Sequence, residues 1–167
     1  MIVVRWWFGR RSAPDSSEGT SASDKTAPER VATFSGVSRE EVLDAGTGLY
    51  EVISDAGVHV TLHETELVRL EVAAAPRAEL TLWCRFDPDW VPAGAEATPV
   101  VRLHFTDVVV ESMEVDEDGW DLASGSDAQV RLLDYAAGDW FRLQTWALLV
   151  DFRAAHADLS LHPAEPG

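Results

Sequence analysis

The chain of 167 residues has one cysteine, Cys84. No internal disulfide framework can form, which suits a reducing compartment. No stretch approaches the ~20 apolar residues of a membrane span. The sequence contains no G-x-S-x-G, no phosphate-binding glycine loop, no paired C-x-x-C and no fixed-period repeat. These gaps weaken the case for an enzyme without excluding an unusual one. Basic residues are scarce: 13 Lys and Arg stand against 29 Asp and Glu, a net charge of −16. Arg5, Arg10 and Arg11 are three of the 13, so residues 12–167 carry 10 basic and 29 acidic side chains, a balance of −19. Such a surface repels nucleic acid and anionic lipid and speeds encounter with a basic partner. It also keeps a protein soluble, which is the commoner role of strong acidity.

Residues 12–30, "SAPDSSEGTSASDKTAPER", lack any aromatic and any aliphatic larger than alanine. They cannot bury enough surface to offset ordering entropy, so residues 1–30 are expected to be an N-terminal segment with a flexible linker. The opening "MIVVRWWFGRR" has too short an apolar run for a signal peptide, and its charges follow the run. A cytoplasmic protein is expected. Packing of these aromatics on the domain is favoured over a peripheral membrane contact.

A single β-rich domain is expected over residues 31–167. Its length suffices to bury ~70% of the unfolded-chain surface. "SREEVLDAG" predicts one short helix: Ser38 can cap, Glu41 follows three residues later, and Gly46 comes after the end. It is expected to resume through Leu49–Ile53. Beyond Val58 the apolar period becomes two. Val58, Val60 and Leu62 alternate with His59, Thr61 and His63; Leu80, Leu82, Cys84 and Phe86 alternate with Thr81, Trp83 and Arg85; Val101, Leu103 and Phe105 alternate with Arg102 and His104. Gly138 and the Asp118-Gly119 dipeptide mark turns. The pattern predicts a mainly β fold, α+β through its one helix. The architecture would be an antiparallel sandwich or partly closed barrel of about eight or nine strands.

His59 and His63 raise the question of a metal. On a strand rising ~3.3 Å per residue, rings four positions apart stand about 13 Å from each other, too far to share an ion. The β-branched Val58, Val60 and Thr61 favour the strand, and H-E-x-x-H is absent. His63 is expected at a strand end with its ring bonded to backbone, and Glu64 and Glu66 in solvent. His104, His156 and His162 offer a weaker, scattered metal option. Residues 114–125 nearly spell a calcium loop, with Glu114, Asp116, Asp118 and Gly119 at positions 1, 3, 5 and 6. Position 12 is Gly125 where a bidentate glutamate is needed, so a hairpin is preferred. No metal or other cofactor is expected.

From Asp107 to Asp127 the chain carries eight carboxylates and no lysine or arginine. A solvated hairpin accounts for that. The sharper reading is a face for a cationic protein, with Glu111, Met113, Glu114, Asp116, Glu117, Asp118, Trp120 and Asp121 as contact residues, Trp120 anchoring and the carboxylates steering. A straight strand would turn Asp107 and Glu111 inward with Phe105, Val109 and Met113 as a possible acid–base pair. A bend at Thr106-Asp107 removes them from the interior and is preferred. The competing functional reading is a barrel-like small-ligand binder or enzyme whose cavity is lined by Trp83, Trp90, Trp140, Phe141 and Trp146. Cys84 lies on the apolar side of its strand, so an inert buried thiol is expected.

The segments "LHETELVRLEV", "ELTLWCRF", "VVRLHFTDVV" and "FRLQTWALLVDFRAAHADL" follow one another in order. Over roughly residues 59–161 the chain resembles family 50 of the bacterial polymorphic-toxin immunity proteins. The likeness rests on His63-Glu64, the two alternating strands, and the F-x-x-V step at Phe105 and Val108. It implies a small β-rich cytoplasmic protein that binds and neutralises a cognate toxin, and it carries over no catalytic residues. The partner expected is thus a basic protein such as a secreted toxin, rather than nucleic acid or membrane.

Overall fold

The computed structural model describes residues 31–38, 51–74, 78–115, 128–136 and 138–164. The strands are β1 (Thr33–Ser35), β2 (Glu51–Ile53), β3 (His59–Thr61), β4 (Thr65–Ala73), β5 (Glu79–Phe86), β6 (Val100–Thr106), β7 (Val109–Val115), β8 (Leu132–Ala136), β9 (Trp140–Gln144), β10 (Leu148–Arg153) and β11 (His156–His162). They form a five-stranded sheet in the order β1-β11-β6-β5-β4, a four-stranded sheet in the order β7-β10-β9-β8, and the β2–β3 hairpin. All pairings within the sheets are antiparallel except β1 on β11. The fold is mainly β and sandwich-like, and among the described residues the sheets do not close into a barrel.

Alternation places the core between the two sheets. The larger sheet contributes Leu80, Leu82, Cys84, Val101, Leu103, Phe105 and Leu159; the smaller contributes Leu133, Phe141, Leu143, Val150 and Phe152. Phe141 stacks on Phe152 with centroids 5.3 Å apart and meets Phe105 edge-on at 5.1 Å. Val52, Val58 and Val60 of the β2–β3 hairpin join the same cluster.

The chain changes sheets between β6 and β7. Asp107 sits at φ 55°, a left-handed conformation that breaks the strand. The expected bend is present. Opposite β10, Ser112 pairs with Asp151 and Val110 with Phe152, leaving Glu111 as an extra residue in a bulge. A second bulge at Val68 lets Leu67 and Leu70 both face the core, where simple alternation of Val68, Leu70 and Val72 would have left Leu67 outside.

Two expectations need correction. Among the described residues there is no N-terminal α-helix. Most of the predicted helix, residues 39–50, lies outside them, and its expected continuation at Glu51–Ile53 is a strand paired with β3. Val52 is buried there between exposed Glu51 and half-buried Ile53, a two-residue period that the short segment disguised. Among the described residues there are eleven strands where about eight or nine were expected, because β1 and β2 have three residues each, too few to show a periodicity.

Candidate functional site

β7 forms an outer edge of the smaller sheet, and among the described residues it pairs only with β10. Alternate N–H and C=O groups along such an edge point away from the sheet and can pair with another chain. Val109, Val110 and Val115 are exposed large apolar residues on this strand. Glu111 and Glu114 are exposed, and Met113 is half-buried against the core. The structure therefore brings three of the eight expected contact residues onto one edge. Asp116, Glu117, Asp118, Trp120 and Asp121 lie outside the described residues, as does the Asp118-Gly119 turn.

The outward face behind β7 is ion-paired. Arg142 grips Asp151 with two donors, Nε to Oδ1 at 2.7 Å and Nη2 to Oδ2 at 2.9 Å, and Ser112 Oγ donates to Oδ2 at 3.2 Å. The hydrogen-bonded guanidinium beside it holds the Asp151 carboxyl below the usual carboxylate range. Arg153 joins Glu111 and buried Asp139, each at 3.0 Å. Glu114 has no basic group within ion-pair distance among the described residues. Glu111 is thus partly neutralised by its own fold, while Glu114 makes no ion pair among the described residues and acts on Arg142 only through space.

The imidazole pair does not form a metal site. His59 Nε2 lies 3.0 Å from Glu51 across the β2–β3 hairpin. His63 lies beyond the strand end, in the 3₁₀ turn Leu62–Glu64, where its backbone carbonyl accepts from Gln129 Nε2 at 3.1 Å. Glu66 is half-buried in an ion pair with Arg85 at 2.9 Å. His104, His156 and His162 do share the outer face of the larger sheet, but His156 and His162 stand six residues apart on β11, about 20 Å at strand rise. Among the described residues no group of three or more His, Cys, Asp or Glu side chains is placed to hold a metal ion.

Sequence reasoning missed a polar cluster on that face. Ser35 Oγ donates to Asp158 Oδ1 at 2.6 Å and lies 3.0 Å from His156 Nε2, while His156 Nδ1 lies 2.9 Å from Thr33 Oγ1. The residue types suggest a hydrolytic triad, but the order is wrong. The hydroxyl donates its hydrogen bond to the carboxylate, and among the described residues no carboxylate bonds to the imidazole to orient it. The cluster fastens β1 to β11. The 121 to 123 residues separating these partners in sequence left no local signal for it.

The aromatics expected to line a cavity do not converge. Phe141 is fully buried, Trp83 and Trp140 are half-buried on outward faces, and Trp90 and Trp146 are 66% and 56% exposed. Arg102 lies over Trp83, Arg142 over Trp140 and Arg131 over Trp146. Cys84 is buried, and desolvation pushes its thiol up to about 12, which leaves it inert at neutral pH. Among the described residues no helix is long and apolar enough to cross a membrane.

Comparison with protein-family models, with curated proteins and with solved structures finds no match to this chain. The resemblance to the immunity proteins stands on its sequence segments alone.

Proposed function

We propose that this is a non-catalytic interaction protein that binds a basic protein partner along the β7 edge. The supporting observation is an outermost strand that carries exposed valines beside Glu111 and Glu114 and has one side unpaired among the described residues. In sequence it runs directly into Asp116, Glu117 and Asp118. The carboxylates set the choice of partner. A second copy of this chain would bring like charge to the edge, whereas a segment bearing Lys or Arg would gain ion pairs. A bulge and charges also protect an edge from indiscriminate pairing, so the same features that admit a basic chain reject others.

In the form implied by the sequence resemblance, the partner is a cognate toxin and binding neutralises it. The test is co-expression with the product of the neighbouring reading frame, followed by stopped-flow association of the purified pair. Reversing Asp116, Glu117 and Asp118 to lysine should weaken the complex and slow association at low salt. Association indifferent both to salt and to these substitutions would refute acidic steering.

A further inference from the structure

Trp146 lies at the tip of the hairpin joining β9 to β10, and the fold has no evident need of it there. The turn is closed by its neighbour: Thr145 Oγ1 accepts from Ala147 N at 3.2 Å and from Leu148 N at 3.0 Å, and Thr145 N donates to Leu148 O at 2.8 Å. Thr145, Ala147 and Leu148 are all buried, yet the indole between them is 56% exposed. Arg131 covers one face of the ring, its guanidinium carbon 3.7 Å from the centroid. Its own backbone N–H is tied to Gln144 O at 2.8 Å. Among the described residues Arg131 meets no carboxylate within ion-pair distance, in a chain of net charge −16. Exposed Val115 at the end of β7 pairs with Leu148, two residues from the indole.

We infer that Trp146, braced by Arg131, is the anchor of the partner interface. This rests on the reading of β7 as the binding edge and adds a large ring to its exposed valines, at the end of the sheet where Val115 pairs with Leu148. Tryptophan and arginine dominate interface energetics because a large ring fills a pocket while a fixed fork of donors satisfies its rim. Here both are held before binding, so little side-chain freedom remains to be lost. The occupant is a basic protein segment with an apolar depression for the indole and carbonyl acceptors for the Arg131 donors. Its cations meet Glu114, while a second acidic copy would be repelled.

The test is selection of short random peptides displayed against the full chain at low ionic strength. The enriched peptides are then synthesised and titrated against variants whose thermal midpoints match the wild type. The peptides should be rich in Lys and Arg around an apolar cluster. Trp146→Ala should weaken them by at least ~30-fold, the threshold of a dominant contact, and Trp146→Phe by much less. Arg131→Ala should cost about 5-fold or less, in line with an exposed cation–ring contact. Peptides that bind Trp146→Ala unchanged, or no enrichment at all, would overturn the anchor. Peptides sensitive to Trp146→Ala but neutral in charge and indifferent to E111K/E114K would keep the anchor and defeat the acidic-edge reading. The reverse pattern would do the opposite.

Discussion

Replacing Phe141 with alanine separates a filled sandwich from a ligand-binding cavity. The ring is fully buried, stacks on Phe152 at 5.3 Å, and lies 5.1 Å from both Phe105 and Tyr135. Removing it forfeits transfer free energy and leaves a void that three neighbouring rings cannot all fill. Phe→Ala at such a site costs about 3–5 kcal/mol. With a urea m-value near ~2 kcal/mol/M, a loss of about 4 kcal/mol lowers the unfolding midpoint by ~2 M. Trp140→Ala, one residue earlier but on the outward face, should shift it far less, by roughly 0.5 kcal/mol. Urea titrations followed by far-ultraviolet circular dichroism measure both. Equal small shifts would mean that Phe141 borders open space and that the packed-core reasoning is wrong.

Gly36 has φ +73°, and a Cβ there would stand 1.8 Å from Leu159 O, so Gly36→Ala should detach β1 from β11 at a cost above ~2 kcal/mol. A wild-type thermal midpoint in that variant would contradict it. Asp107→Val places a β-branched residue at φ 55° and should cost about 1–2 kcal/mol, read as a lower urea midpoint. Asp151 is held below the usual carboxylate range by Arg142, so its contribution is present above the ordinary carboxylate pKa and is lost as pH falls through the depressed value. Arg142→Met should therefore flatten the acid limb of stability against pH, and an unchanged limb would sink the assignment. Cys84, buried with its thiol pushed up to about 12, should resist alkylation at pH near 8 until urea unfolds the chain; fast labelling of the native protein would refute its burial.

Much of this was legible along the chain. Alternation in β5 and β6 assigned Leu82, Cys84, Leu103 and Phe105 to the interior, because a two-residue period is a local property of extended backbone. The Asp107 bend was legible for a related reason: the apolar run was too long for one strand and would have buried carboxylates. Other features had no local signature. The strand at Glu51–Ile53 is too short for a period, and a bulge such as those at Val68 and Glu111 hides a residue that alternation then misassigns.

Charge, the lone thiol and the β character belong to the sequence itself, since each follows from composition or from neighbours two residues apart. Which tryptophans face water, which carboxylates are already neutralised by Arg142 and Arg153, and which strand is left at the edge were decided only by tertiary structure. Those outcomes depend on pairing between segments far apart in the chain, and no residue carries in its own neighbourhood the identity of the strand that will lie beside it.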